Sequence, residues 1–216
     1  TVKINSIILR GRELRTYKLD VRVSEKLKKS LPPLANSMVR TEVNAKDFYY
    51  NFSAGEYRVM GLIPGELITQ SLIIAHDGKD FIDHDVVKIA VIERYGKQTP
   101  ISIGLVKGFG LIGGAMASSV AHDCHNIIVM GRSDEDMATA VNHLIHSGGG
   151  QCIVSNGNVV ASLPLSIGGL MSVESSEEII KKQKQLHHAH HQLGVKMEAP
   201  FLNLAFLALP VIPSLK

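Results

Sequence analysis

Residues 127–137 read Ile-Ile-Val-Met-Gly-Arg-Ser-Asp-Glu-Asp-Met, and they contain the change from strand to helix that decides the fold. The four apolar residues at the start predict a short buried strand that ends at Gly131. Ser133 is suited to cap a helix, and the three acidic residues after it suit the positive end of the helix dipole. One face of this helix is apolar and consists of Met137, Val141, Leu144 and Ile145. The glycine triplet at residues 148–150 predicts where the helix ends.

Predicted strands lie on both sides of this strand and helix. Residues 86–93 and 101–106 are nearly unbroken apolar runs, which are typical of strands covered on both faces. Residues 152–154 and 159–163 flank Asn156-Gly157, a pair that favours a tight hairpin turn. Four more segments have a β-branched or alternating apolar pattern: residues 2–9, 17–23, 57–63 and 66–75.

Other local signals predict three more helices and one more turn. A short basic helix follows Ser24, a short helix begins at Ala115, and Ser175 caps a polar helix that ends at Gly194. The pair Asp77-Gly78 favours a primed hairpin turn.

The order of these elements lacks the regular strand–helix–strand rhythm of a parallel sheet. We therefore predict an α+β fold, with mixed β-sheets, a few flanking helices and no complete TIM barrel. The apolar run at residues 201–215 contains Pro210 and Pro213, and we expect it to pack under the sheet.

The composition of the 216 residues limits the classes of function. Hydrophobic residues make up 45% and charged residues 20%, which excludes wholesale disorder. The net charge of +3 is scattered and Trp is absent, so we expect no nucleic-acid partner. Two cysteines form no disulfide framework, no segment is long enough to cross a membrane, and a reducing cytoplasm is expected. The chain begins at Thr1, within a predicted strand, which suggests a piece of a longer protein.

Residues 108–113, Gly-Phe-Gly-Leu-Ile-Gly, match the G-x-G-x-x-G pattern of dinucleotide-binding turns. The predicted helix at Ala115 has too little room before His122, because a strand–helix–strand crossover needs roughly ten to twelve residues or more. A tight turn packed against the sheet is therefore the favoured interpretation. The alternative is a nest for a phosphate or another small anion, in which Gly108 and Gly110 bind the ligand.

Residues 122–126, His-Asp-Cys-His-Asn, are five consecutive side chains that can act as ligands, acids or bases. In an extended chain His122 and Cys124 face one way and Asp123 and His125 the other, so the whole set cannot chelate one metal ion. Two of them could still bind a metal or a substrate, with their neighbours in support. The alternative is a turn that the Asp and Asn side chains stabilise, with satisfied histidines.

Four histidines lie near the end of the predicted polar helix: His187, His188, His190 and His191. His187 and His191 are one turn apart, as in H-E-x-x-H zinc sites, but His188 stands where that motif has Glu. We interpret this segment as a solvated helix face that is dispensable for activity, with adventitious nickel or zinc binding as the alternative. The sequence thus predicts no metal site in this chain.

Several ordered segments of the chain resemble the C-terminal region of bacterial adenine deaminase, a member of the amidohydrolase superfamily. They include Val-Lys-Ile-Ala-Val-Ile-Glu-Arg at residues 87–94 and Ala-Ser-Ser-Val-Ala-His-Asp at residues 117–123. The other matching segments are residues 61–66, 104–110, 125–126, 134–138, 148–150, 169–172 and 201–213. Two residues depart from the family pattern: Cys124 stands where Ser is usual, and Gly113 stands where a basic residue is common.

The resemblance implies hydrolytic deamination of adenine to hypoxanthine and ammonia by a metal-activated water. In this superfamily the metal, Mn or Fe, lies in a (β/α)₈ barrel and is held in part by a His-x-His pair. A barrel needs ~250 residues, so we expect it upstream and outside this chain. His188-Ala189-His190 has the His-x-His form, but its helical pattern argues against that role.

The resemblance also implies an organisation and a set of partners. Residues 1–75 would be a β-rich segment that joins the barrel, and residues 76–216 would be the C-terminal α+β domain. Adenine and the barrel would be the partners in a cytoplasmic homo-oligomer, with no nucleic acid and no membrane. This chain alone would be inactive.

The candidate site residues lie in the loop at residues 122–126 and in the glycine-rich turn. His122 and His125 would contribute to catalysis from an interface with the barrel. Asp123 and Asn126 would help to bind the substrate, together with the two turn glycines Gly108 and Gly110. The alternative is a non-catalytic binding or assembly module that uses the same turn and residues 121–126.

Overall fold

A computed structural model describes residues 7–9, 12–14, 36–63, 65–81, 83, 85–209 and 211. The predicted strand at residues 17–23, the helix after Ser24 and the first part of the strand at residues 2–9 lie outside these residues. The chain divides into two compact units, Thr1–Leu34 and Ala35–Lys216. In the first unit, strands β1 (Ile7–Leu9) and β2 (Arg12–Leu14) pair in antiparallel fashion.

The second unit is built on one eight-stranded sheet. Its strands are β3 (Gly55–Leu62), β4 (Thr69–His76), β5 (Val87–Ile92), β6 (Ser102–Lys107), β7 (Ala115–Ser118), β8 (Ile127–Gly131), β9 (Gly150–Ser155) and β10 (Asn158–Pro164). They lie in the order β10-β9-β7-β8-β5-β6-β3-β4, and every neighbouring pair is antiparallel except β3 and β6. This sheet is mixed and does not close into a barrel, which confirms the predicted α+β class without a TIM barrel.

Helices cover both faces of the sheet. They are α1 (Asp134–Ser147), α2 (Ser176–Gln192) and α3 (Pro200–Leu207), and a 3₁₀ turn spans Ala45–Phe48. Strand β8 shows the two-sided burial most clearly, because Ile128 and Met130 face one apolar core while Ile127 and Val129 face the other. Among the described helices, none has both the length and the apolar character that crossing a membrane requires.

The predicted change from strand to helix after β8 is confirmed in detail. The Asp136 N–H donates to Ser133 Oγ at 3.1 Å, so Ser133 is the N-cap of α1. Gly148 ends the helix with a φ of 77°, a left-handed conformation that glycine adopts without strain. The apolar face of α1 packs on the sheet in the core that also contains Cys152.

The segment from Ala115 was predicted to be helical, and this prediction is wrong. Residues Ala115–Ser118 form strand β7, which lies between β8 and β9. All four side chains are buried, because both sheet faces are covered at this point. Small residues suit such a position as well as they suit a helix, so the pattern alone did not distinguish the two.

The Asp77-Gly78 turn also differs from its prediction. Asp77 Oδ1 accepts hydrogen bonds from the backbone N–H groups of Lys79 and Asp80, at 2.7 and 2.8 Å. These two bonds lower the pKa of the Asp77 carboxyl. The turn is thus built by an aspartate side chain, and it leads into an isolated bridge between His76 and Phe81 rather than a hairpin.

Strands β3 and β4 belong to the same sheet as the six later strands. The expected boundary after residue 75 falls within β4, whereas in sequence the first compact unit ends at Leu34 and the second begins at Ala35. Of the apolar run at residues 201–215, the part up to residue 209 packs under the sheet as expected, and residues 210 and 212–215 lie outside the described residues. Its helix α3 contributes Phe201, Leu204 and Leu207 to the same core as α2.

Candidate functional site

The loop of residues 122–126 connects β7 to β8. The His125 N–H donates to the Ala121 carbonyl at 2.6 Å, and His125 has a φ of 48°, which turns the chain back toward the sheet. Helix α3 supports the start of the loop: the His122 N–H donates to the Ala205 carbonyl at 3.3 Å. The His122 ring also lies 5.0 Å from the Phe206 ring, centroid to centroid.

The polar side chains of this loop are only partly satisfied. His122 and His125 are half-buried with their ring centroids 6.2 Å apart, while Asp123 and Cys124 are exposed. Three buried atoms have no hydrogen-bond partner among the described residues: His122 Nδ1, His125 Nδ1 and Asn126 Oδ1. Within the described part of the chain, no side chain, Asp123 included, hydrogen-bonds either imidazole Nδ1, and Asn126 Oδ1 accepts no hydrogen bond.

Arg94 holds this loop from inside the protein, and the sequence analysis did not identify that role. Its Nε donates to the His125 carbonyl, its Nη1 to Ser37 Oγ at 2.5 Å and its Nη2 to the Gly168 carbonyl at 2.8 Å. Tyr95 adds a hydrogen bond from its hydroxyl to the Cys124 carbonyl at 2.9 Å. The one sequence signal for this role was the position of Arg94 directly after the predicted apolar strand at residues 86–93.

Among the described residues, Arg94 has no carboxylate partner. Its contacts are carbonyl and hydroxyl oxygens, the Met38 sulfur and the Tyr95 ring, which is an unusual set for a buried guanidinium. Arg94 thus holds a loop that contains three unsatisfied polar atoms.

The glycine-rich turn is a nest of backbone N–H groups, and a carboxylate of the same chain accepts their hydrogen bonds. The Asp85 carboxylate accepts from the Gly108 N–H at 3.0 Å and from the Gly110 N–H at 2.7 Å. The turn also packs against the sheet, because Phe109 and Leu111 are buried in its core. Strand β7 follows it in place of the helix that a dinucleotide site needs.

The turn and the loop do not form one site. The turn at residues 108–113 precedes β7 and the loop at residues 122–126 follows it, so they lie at opposite ends of that strand. Four residues of strand separate them by ~13 Å. Gly108 and Gly110 therefore lie apart from the two loop histidines.

The four histidines of α2 are not a uniformly solvated face, which corrects the sequence interpretation. His190 is only 2% exposed, and Leu186 and Ala189 are buried beside it in the core under the sheet. Burial lowers the pKa of His190, and its hydrogen bond to the Val195 carbonyl partly opposes that shift. His187 and His191 lie next to the His190 ring, whereas His188 is exposed and lines a different surface groove.

The helix geometry also shows whether His188 and His190 could be the His-x-His metal pair of a barrel. His188 and His190 are two residues apart on α2 and therefore lie on different sides of the helix, one exposed and one buried. They do not fit the metal-binding pair of a barrel.

Comparison with known proteins identifies the family. The family model described as the adenine deaminase C-terminal domain matches residues 66–216. This chain belongs to the adenine deaminase family. The resemblance inferred from the sequence is therefore confirmed.

Adenine deaminases from several bacteria are similar to this chain over its whole length. The adenine deaminase of Bdellovibrio bacteriovorus is 47% identical over 215 residues, and that of Shewanella halifaxensis is 43% identical over 215 residues. The adenine deaminase of Escherichia coli O157:H7 is 43% identical over 216 residues. Each alignment covers 100% of this chain, and the chain spans 37% of the length of each relative.

Proposed function

We propose that this chain is the C-terminal domain of an adenine aminohydrolase, which converts adenine and water into hypoxanthine and ammonia. The observation that carries the proposal is 43–47% identity to adenine deaminases along the whole chain. A domain that spans 37% of such relatives leaves room for a separate catalytic barrel of ~250 residues.

In this proposal the barrel holds the divalent metal, Mn or Fe, outside this chain. Bound there, the metal would supply activation of the attacking water, and a positioned acid would protonate the amine that leaves. The enzyme is cytoplasmic and homo-oligomeric, and the free thiols of Cys124 and Cys152 suit a reducing compartment.

The loop of residues 122–126 is the part of this chain that faces the barrel or its substrate. Two imidazoles and one amide there have buried atoms without partners, and a buried polar atom is costly unless something satisfies it. A hydrogen-bonding group of the barrel or of the substrate would satisfy these three atoms. In the resulting assembly His122 or His125 exchanges a proton or orients a neighbour, while Arg94 keeps the loop in place.

Two assays side by side test the proposed activity. The 216-residue chain and the full-length protein are compared for hypoxanthine release from adenine, with metal analysis of both. We expect turnover and bound metal in the full-length protein and only background turnover in the chain. Absence of adenine deamination by the metal-loaded full-length protein would refute the proposal, and robust turnover by the chain would refute the barrel's role.

Substitution of the loop histidines tests whether the loop takes part in catalysis or only supports the fold. In the full-length protein, His122→Asn and His125→Asn are expected to lower kcat about a hundredfold for a lost acid or base, with little change in Tm. His188→Gln is the control, because this exposed histidine lies outside the loop. If both loop variants keep normal turnover per folded molecule and only lose Tm, the loop merely braces the domain.

A further inference from the structure

Three imidazoles meet on one side of α2. His187, His190 and His191 stand at positions i, i+3 and i+4, which are neighbours on a helix surface. With one nitrogen taken from each ring, the three ligand atoms lie within 4.8 Å of one another. No other group of three or more His, Cys, Asp or Glu side chains with this property occurs among the described residues.

The distances between the nitrogens match those around a metal ion. His190 Nε2 lies 3.2 Å from His187 Nδ1, and His191 Nε2 lies 3.1 Å from His187 Nε2. Two imidazole nitrogens bound to one tetrahedral Zn²⁺ are roughly 3.3 Å apart, given zinc–nitrogen bonds of about 2.0 Å. The exposed His187 ring uses a different nitrogen toward each partner, so it must turn to direct a single nitrogen at the ion.

His190 is already oriented as a metal ligand. Its Nδ1 lies 2.9 Å from the Val195 carbonyl, which can only accept, so Nδ1 carries the hydrogen. The Nε2 atom of the neutral ring then keeps its lone pair and faces His187. Metal-binding histidines commonly show this arrangement, with the second ring nitrogen donating to a backbone carbonyl. The burial of His190 keeps its imidazole in one orientation.

A cavity beside the cluster offers space for further ligands. It has a volume of about 250 Å³, and His187, His190 and Glu198 are among its lining residues. A carboxylate and a water are both accepted by Zn²⁺ in addition to histidines. The exposed Glu198 carboxylate lies outside the group of atoms within 4.8 Å, so its side chain must turn to become the fourth ligand, a position that a water can otherwise take.

We propose that His187, His190 and His191 form a binding site for one Zn²⁺ or a similar late first-row divalent ion, with Glu198 or water as the fourth ligand. Imidazole ligands suit zinc, nickel and copper, whereas Mg²⁺ requires oxygen ligands. The bound ion connects the end of α2 to the segment at residues 195–198. This site does not depend on the proposed deaminase activity.

Zinc titration of the metal-free chain, purified without a histidine tag, tests the site. By isothermal titration calorimetry we expect one Zn²⁺ per chain and no binding of Mg²⁺. His187→Gln and His191→Gln should each weaken zinc binding at least tenfold, and both positions are exposed, so the fold should tolerate them. His188→Gln is the matched control on the same helix and should leave the affinity unchanged.

Two further measurements distinguish a three-histidine site from adventitious chelation. X-ray absorption at the zinc edge should detect three imidazole ligands, and a Zn²⁺ concentration that just saturates the wild-type chain should raise its Tm by clearly more than the Tm of His187→Gln. Equal loss of affinity in the His188 control, two or fewer imidazoles at the ion, or no wild-type binding at 100-fold molar excess would each overturn the proposal.

Discussion

Arg94 illustrates how a single residue organises distant parts of this chain. Its guanidinium joins the loop at residues 122–126 to Ser37 and Gly168, which are 57 and 74 residues from Arg94 in sequence. The side chain is 2% exposed, so water does not replace these hydrogen bonds when they are lost. The partly buried acceptors around Arg94 would lose their charged donor.

Arg94→Met is therefore expected to destabilise the protein by about 3 kcal/mol, because three partly buried acceptors lose the charged donor that a buried side chain supplies. That corresponds to a fall in Tm of roughly 6–12 °C for a domain of this size. Arg58→Met is the control, since Arg58 is exposed on β3, and it should change stability by less than about 0.5 kcal/mol. Thermal unfolding followed by circular dichroism measures both. Equal stability of the two variants would contradict the role assigned to Arg94.

His143 makes the stability of the fold depend on pH. Burial lowers the pKa of His143, and the neighbouring His146 lowers it further. His146 itself lies 2.6 Å from a Glu42 carboxylate oxygen. Because the unfolded chain then takes up the His143 proton more readily than the folded chain, protonation favours unfolding.

We expect stability to fall as the pH drops below about 6.5 and through the lower pKa of the folded state. His143→Asn removes this titration and should give a shallower decrease of Tm between pH 7.5 and pH 5. The matched control is His188→Gln, which removes one exposed histidine from another helix. A slope that is the same in wild type and His143→Asn would show that other groups control the acid sensitivity.

At the scale of elements, the entry into β7 depends on close backbone contact. Gly114 has a φ of 72°, and a Cβ atom there would lie 2.3 Å from the Val154 carbonyl oxygen of β9. The preceding Gly113 has open space where a Cβ atom would be. That space also explains why a larger basic side chain, which the family resemblance implies at this position, can be accommodated.

Gly114→Ala is expected to destabilise the protein by roughly 3 kcal/mol or more, since β7 would have to move away from β9. Gly113→Ala serves as the adjacent control and should change stability by no more than about 0.5 kcal/mol. Urea unfolding of both variants provides the measurement. If the two glycines tolerate alanine equally, β7 and β9 do not approach as closely as described.

At the scale of the whole molecule, the unit Ala35–Lys216 contains all eight strands of the large sheet and the helices on both of its faces. Among the described residues, every member of its two main cores belongs to that unit. A shortened chain of residues 35–216 is therefore expected to fold with the same cooperative transition and a Tm within about 5 °C of the parent. Far-ultraviolet circular dichroism and thermal unfolding test this. Loss of the cooperative transition would mean that residues 1–34 are required for folding.

The sequence by itself determined the features that depend on neighbouring residues. The Ser133 cap, the Asn156-Gly157 hairpin and the two-sided strand β8 follow from local hydrogen bonds, backbone preferences and apolar periodicity. The family resemblance also followed from ordered motifs and needed no coordinates. These predictions succeeded because the interactions behind them span only a few residues.

Only the tertiary structure decided the features whose partners are distant in sequence. Asp85 occupies the turn N–H groups that a motif search would assign to a phosphate, although it lies 23 residues before Gly108. The burial of His190 arises because the sheet covers one side of an otherwise polar helix. Charge neutralisation and desolvation depend on which surfaces come into contact in the folded chain. Residue spacing along one helix or turn does not predict those contacts.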